Sequence, residues 1–123
     1  LVGSQYYAAN LSQAEIGEID VMIDTDMIAS PNYVRFVYDG DLSDSPPPPS
    51  GAPAGSDKIE QLFNRYFDRQ GLAYEPTAFD GRSDYGPFIT NGIAAGGLFT
   101  GAEVEKSAEQ EAALQALDGL PDD

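Results

Sequence analysis

Asp20, Asp24 and Asp26 recur within Asp20-Val21-Met22-Ile23-Asp24-Thr25-Asp26, a run that alternates with period two. In a strand, Ile19, Val21, Ile23, Thr25 and Met27 point one way, and Asp20, Met22, Asp24 and Asp26 the other. Several carboxylates on one strand face are costly unless water or a cation neutralises them. For Asp20 and Asp24 the spacing favours an exposed edge strand whose acidic face meets water. Asp26 ends the run, and in open α/β sheets the working residues gather outside the carboxyl ends of strands. Spacing leaves it evenly open between a surface carboxylate and a metal ligand.

A second constellation is Phe79-Asp80-Gly81-Arg82-Ser83-Asp84-Tyr85-Gly86-Pro87-Phe88. This glycine-bounded loop carries one guanidinium among two carboxylates. Arg82 could clamp Asp80 or Asp84, or present its fork to a ligand carbonyl or carboxylate; from the residues alone the clamp is favoured. Asp39, Asp41 and Asp44 lack the glycine and closing glutamate of the twelve-residue calcium loop and read as a solvated turn.

Composition narrows the chemistry. The 123 residues suit one domain or a piece of one, short for a self-contained hydrolase with an enclosed site. Six Lys and Arg against 21 Asp and Glu give a net charge of −15, which argues against nucleic acid and anionic membranes as partners. There is no histidine and no cysteine, so Ser-His-Asp, Cys-His and His- or thiolate-ligated zinc sites cannot be completed from this chain. Any active site here must be built from carboxylates and loops. No apolar run is long enough to cross a bilayer, and Leu1 to Gln5 lack the basic and apolar regions of a signal peptide.

The elements that must position these residues follow from periodicity and punctuation. Ser12-Gln13-Ala14-Glu15 has the form of a capping box, predicting a short helix from Ser12 to Glu18. A strand starts at Ile19, and Tyr33 to Tyr38 is a second β-rich run ended by Asp39-Gly40-Asp41. Residues 42–56, with Pro46 to Pro49, Gly51, Pro53 and Gly55, form a surface loop. Ile59, Leu62, Phe63, Tyr66 and Phe67 fall at helical spacing, predicting a helix over Asp57 to Gln70, capped by Ser56 or Asp57, stopped by Gly71, with its aromatic stripe in the core. Leu72 to Pro76 is extended, Ile93 to Phe99 is a buried strand whose glycines permit close backbone approach, and a loop joins them. A last helix opens at Ser107 and runs through Leu117 to Gly119 and Pro121. The order is that of an α/β layered fold.

Four ordered stretches resemble the M28 zinc aminopeptidases, especially the secreted bacterial type. Leu1-Val2-Gly3-Ser4 is similar to the end of the family's Glu-Glu-x-Gly-Leu-x-Gly-Ser segment, and Asp26-Met27-Ile28-Ala29-Ser30-Pro31-Asn32 to its Asp-Met-Ile-Gly-Ser-Pro-Asn segment. Asp80-Gly81-Arg82-Ser83-Asp84-Tyr85-Gly86-Pro87-Phe88 is similar to its Asp-Gly-Arg-Ser-Asp-His-x-Pro-Phe loop, and Gly96-Gly97-Leu98-Phe99-Thr100-Gly101 to its Gly-Gly-Leu-Phe-Thr-Gly strand end. The resemblance covers Leu1 to about Gln110.

It implies a partial three-layer α/β sandwich with a mainly parallel or mixed sheet, and a secreted enzyme in which two zinc ions, bridged by an aspartate and a water, remove the N-terminal residue of a peptide. Asp26 would be the terminal carboxylate ligand of one zinc. Met27, Gly81 and Phe99 would shape a pocket for an apolar N-terminal side chain, and Arg82 would hold the substrate carbonyl. The family's two histidines, bridging aspartate, glutamate ligand and catalytic glutamate have no counterpart here, and its paired glutamates would fall just before Leu1. The expectation is one partial peptidase domain over 1–123, inactive alone, whose missing upstream part is a candidate partner. Three departures stand out: Tyr85 replaces the usual loop histidine, Thr25 a larger apolar residue, and the tail 111–123 diverges. The alternative is a non-catalytic acidic peptide- or cation-binding module derived from that fold.

Overall fold

The structure is a computed structural model that describes residues 1–101 and 105–118. Among these residues four strands form one mixed sheet in the order β1-β4-β2-β3, from β1 (Val21–Asp26), β2 (Phe36–Tyr38), β3 (Glu75–Thr77) and β4 (Ala94–Phe99). β1 runs parallel to β4 and β2 parallel to β3, while β2 and β4 are antiparallel. With helices on both of its faces this is the mixed-sheet α/β arrangement expected. The second strand is shorter than the β-rich run Tyr33 to Tyr38, because only Phe36 to Tyr38 find ladder partners.

Among the described residues five helices accompany the sheet: α1 (Val2–Ala9), α2 (Gln13–Gly17), α3 (Ser56–Gln70), α4 (Gly86–Thr90) and α5 (Ala108–Asp118). The capping box forms as its residues dictate: the Glu15 N–H donates to Ser12 Oγ across 3.2 Å, and the Ser12 N–H to Glu15 Oε2 across 2.7 Å. At α5 the same reciprocal pattern joins Ser107 and Gln110. The stop expected at Gly119 and Pro121 lies outside the described residues. α3 ends at Gly71 in a left-handed conformation, as a glycine stop requires, but its N-cap is Gly55, not Ser56 or Asp57. Ser56 is fully buried in the first turn, where its hydroxyl accepts the Ala95 N–H at 3.2 Å, so the surface loop ends at residue 55.

α3 packs on the Ala94 and Gly96 side of β4. A Cβ on Gly96 would come within 2.5 Å of Ile59, so the bare backbone is what lets the helix settle. Gly97 faces the other side, and a Cβ there would lie 1.8 Å from the Asp24 carbonyl oxygen of β1. The close approach expected of these glycines is therefore real, to a helix at Gly96 and to the neighbouring strand at Gly97.

The aromatic stripe of α3 is only partly core. Ile59 and Phe67 are core, but Leu62 and Tyr66 of the same stripe are 60 % and 56 % exposed. α3 covers β4 and β2 and leaves β1 bare on that face, so Val21 and Ile23 are also about half exposed. The stretch expected as a loop between Pro76 and Ile93 contains α4, and α1 lies where no helix was predicted. Packing holds them: Tyr7 meets Phe88 with ring centroids 6.0 Å apart, and Pro87 sits in the first turn of α4, where its missing N–H costs nothing.

Candidate active site at the end of β1

The opposite face of β1 carries Met22, Asp24 and Asp26, and it is this acidic face that is covered. Asp24 is 7 % exposed. An edge strand with Asp24 facing water is thus overturned, because the loop after Phe79 folds across β1 and supplies a hydrogen bond. Ser83 Oγ lies 2.5 Å from Asp24 Oδ2 and 2.9 Å from Asp26 Oδ2.

That loop is shaped from below by aromatics. Phe79 and Tyr85 are fully buried and stack with ring centroids 4.8 Å apart and planes 2° from parallel, and Tyr38 sits 4.8 Å from Tyr85 at 58°. The Tyr85 hydroxyl accepts the Gly81 N–H at 2.9 Å, and the Gly86 N–H returns to the Ser83 carbonyl at 2.9 Å. Gly81 has φ 79°, which favours glycine, and a Cβ on Gly86 would strike its carbonyl oxygen at 2.1 Å. Tyr85, the departure from the family's histidine, is therefore a buried strut of the loop. Burial pushes its phenol up to about 12, with the Asp80 and Asp24 charges adding and the Gly81 N–H opposing. Burial likewise raises Tyr38, with the nearby Ser83 hydroxyl opposing and the Asp24 and Asp26 charges adding.

Asp26 is partly buried. Its Oδ2 meets Ser83, and Oδ1 accepts no hydrogen bond from the described residues. Met27 follows with φ 52°, a left-handed conformation rare for a side chain of this size, and is 52 % exposed. Its carbonyl accepts from the hydroxyls of Thr100 and Ser30. Phe99 is the register partner of Asp26 on β4 and stacks on Phe36 with centroids 6.0 Å apart. Phe36, Phe99, Val34 and Thr77 help line a cavity of about 400 Å³. Gly81 lines a different cleft, of about 690 Å³, between α1, the proline loop and α4.

Arg82 is exposed. Its backbone N–H donates to Asp80 at 3.0 Å, while Asp84 accepts from Ser4 Oγ at 2.8 Å and pairs with the Leu1 amino group at 3.0 Å. The clamp favoured by spacing is absent, since among the described residues the Arg82 guanidinium has no ion-pair partner.

The remaining acidic cluster lies elsewhere. Asp39, Asp41 and Glu60 bring carboxylate oxygens within 4.8 Å of one another, a spacing that could hold a metal ion. Asp39 is fully buried, contrary to the solvated turn expected, because it organises the loop: it accepts the Ser43 and Asp44 N–H groups and the Ser45 hydroxyl. Glu60 accepts the Asp41 N–H at 3.0 Å, and burial raises its pKa. At β1, Asp26 could offer a metal ion its Oδ1, which accepts no hydrogen bond from the described residues. A closed centre needs about four donors, so the residues fit as contributors to a shared site and do not complete one.

Sequence reasoning set aside Asp24 and passed over Ser83. Their signal was the shared face of Asp24 and Asp26; the loop that joins them is distant in sequence.

A model of peptidase family M28 matches residues 1–114. Leucine aminopeptidase 2 of Arthroderma otae is 50 % identical over 110 residues, which is 89 % of this chain and 22 % of that protein. Leucine aminopeptidase 2 of Trichophyton rubrum is 49 % identical over 110 residues, with the same coverage. Probable leucine aminopeptidase 2 of Aspergillus oryzae is 53 % identical over 109 residues, 89 % of this chain and 21 % of that protein. The chain spans about a fifth of the length of the curated relatives it matches.

Proposed function

The chain belongs to peptidase family M28, and from that premise we propose that it is part of a secreted two-zinc aminopeptidase that removes apolar N-terminal residues from peptides. In this reading Asp26 supplies a terminal carboxylate to one zinc through its open Oδ1. Arg82 takes the carbonyl of substrate or product with its guanidinium, which has no ion-pair partner among the described residues. Met27 and Phe99, one beside Asp26 in sequence and the other opposite it in the sheet, line the pocket for the N-terminal side chain, while Gly81, which borders the separate cleft beside α1 and α4, shapes the loop that presents Arg82. The pair of zinc ions, when bound, polarises the scissile carbonyl and lowers the pKa of the attacking water. The histidine ligands, the bridging aspartate, the glutamate ligand and the general base come from other parts of the protein.

One observation carries the reading: Ser83 ties the Arg82 loop to the strand end that holds Asp26, at 2.9 Å. The preference for an apolar residue is supported by the names of the relatives, which are leucine aminopeptidases. The secreted location rests on the resemblance alone.

The test is hydrolysis of a leucyl chromogenic substrate by the whole protein that carries these residues, with and without zinc. Activity that survives exhaustive chelation, or activity of the 123-residue chain by itself, would overturn the proposal.

A further inference from the structure

The cleft of about 690 Å³ beside the Arg82 loop has a wall that is built and held. Between β2 and α3 the chain runs from residue 39 to residue 55 without helix or strand, and connections of that length in a compact fold are usually functional. Near its start Asp39 accepts the Ser43 and Asp44 N–H groups and the Ser45 hydroxyl, and farther on the Gly51 N–H returns to the Pro48 carbonyl at 2.9 Å. Leu42 and Ala52 pack on the core of Tyr38, Phe79 and Tyr85, and Pro48 is buried. Pro46 to Pro49, each with its φ fixed by the ring, leave the stretch between these anchors little freedom. Pro48 and Pro49 line the cleft from this side, Gln5 of α1 with Pro87 and Ile89 of α4 line the others, and Asp80 and Gly81 border it too. Thr90 and Asn91 spend their side-chain donors on carbonyls of α4, whereas the exposed Gln5 amide has no hydrogen-bond partner among the described residues.

Arg82 directly follows Asp80 and Gly81, so the cleft begins where the guanidinium that takes the scissile carbonyl is rooted. The 400 Å³ cavity that Phe99 lines shares no residue with it. A substrate that loses its N-terminal residue divides in the same way: one side chain precedes the scissile carbonyl, and the rest of the peptide leaves from it. We infer that the cleft takes the second and third residues of the peptide substrate, apolar ones preferred, with the proline loop as its wall and the Gln5 amide pairing with the substrate backbone. The inference rests on the aminopeptidase reading above. The volume is in the range of sites that enclose most of a small ligand, and a wall of prolines has little conformational freedom left to lose on contact.

The experiment uses the whole zinc-loaded protein and compares kcat/KM on leucinamide, leucyl-valyl-valine and leucyl-seryl-serine. Leucinamide ends at the scissile bond, and the two tripeptides differ only in what would enter the cleft. The valine peptide is expected to exceed the serine peptide by about tenfold, the worth of one apolar side chain partly withdrawn from water. Gln5 and Pro49 are exposed on opposite walls. Gln5→Trp and Pro49→Trp are expected to melt with the parent and to remove most of the advantage of the valine peptide over both leucinamide and the serine peptide. Equal kcat/KM for the two tripeptides in the parent would overturn the inference. So would an advantage that survives both variants, which would send the downstream residues elsewhere, or a variant that lowers all three substrates by one factor, which would place its effect on the metal site. A parent that hydrolyses none of the three would mean that the aminopeptidase reading itself is wrong, and the inference would fall with it.

Discussion

Asp24 receives the Ser83 hydroxyl at 2.5 Å, although 59 positions separate the two residues in sequence. This bond joins the strand that carries Asp26 to the loop that carries Arg82, and at least one of its partners is buried. Asp24→Ala is expected to destabilise the fold by about 1.5–3 kcal/mol, the range for a hydrogen bond to a carboxylate lost from a covered site. Urea unfolding of parent and variant measures it, and a difference inside the error of the two midpoints would show that the bond contributes nothing to stability.

Gly97 offers a sharper test of the sheet. A Cβ there would sit 1.8 Å from a backbone oxygen of Asp24, and the backbone has φ 147°, where side chains are strained. Strand β1 would have to shift away from β4. Gly97→Ala is expected to cost about 3 kcal/mol or more and to disturb the Asp26 end of β1. Unchanged thermal unfolding would mean that β1 does not lie as closely on β4 as described.

The buried phenols make stability depend on alkaline pH. Tyr85 has a folded-state pKa raised from 10.0 to about 12, and Tyr38 is also raised, each mainly by burial. A raised pKa means that the folded state holds the proton more tightly. Their contribution is complete below the ordinary tyrosine range of 10.0 and is lost as pH rises toward and through the folded values. Melting temperature is expected to fall above about pH 10, with tyrosinate absorbance appearing in two stages, exposed phenols first. Tyr85→Phe keeps the stack on Phe79, leaves the Gly81 N–H without its acceptor, and is expected to cost about 1–2 kcal/mol at neutral pH.

Arg82 separates function from fold. Its side chain is exposed and pairs with no carboxylate among the described residues. Arg82→Ala is expected to change stability by less than about 0.5 kcal/mol. In the whole protein the same substitution should lower kcat/KM on a leucyl substrate by at least about tenfold, the worth of one charge-assisted hydrogen bond. Loss of stability without loss of kcat/KM would assign Arg82 to structure.

The bare face of β1 predicts how the 123-residue chain behaves in solution. Val21, Ile23, Leu62 and Tyr66 are all about half exposed or more, and the outer edge of β1 has no partner strand among the described residues. Unpaired edges and contiguous apolar surface promote association. Sedimentation velocity is expected to show a concentration-dependent mass, reduced by Ile23→Lys with Leu62→Glu. A concentration-independent monomer would contradict it.

Local residue chemistry was legible where the answer needed only neighbours. Ser12 and Glu15 specified a capping box and Gly71 a helix stop, because each depends on atoms a few positions away, while Gly96 with Gly97 marked a strand open to close approach simply by lacking side chains, their partners Ile59 and Asp24 being distant in sequence. The period-two alternation of β1 was also readable, and so was the M28 resemblance of Asp26 to Asn32 and Asp80 to Phe88. Which face of β1 is buried was not. The apolar residues Val21 and Ile23 would be expected inside and Asp24 outside, yet the reverse holds, because α3 covers the central strands and the loop after Phe79 covers the edge.

By itself, then, the sequence determined the family, the strand that ends in Asp26 and the loop that bears Arg82, since these reside in short runs of residue type. Only the tertiary structure decided that Asp24 lies buried against Ser83, that Tyr85 is a strut, that Asp39 is an internal acceptor and that Arg82 is not clamped. Those outcomes depend on which distant hydrogen-bond donors reach a carboxylate or a phenol once the chain has folded, and a single strand or loop carries no record of that.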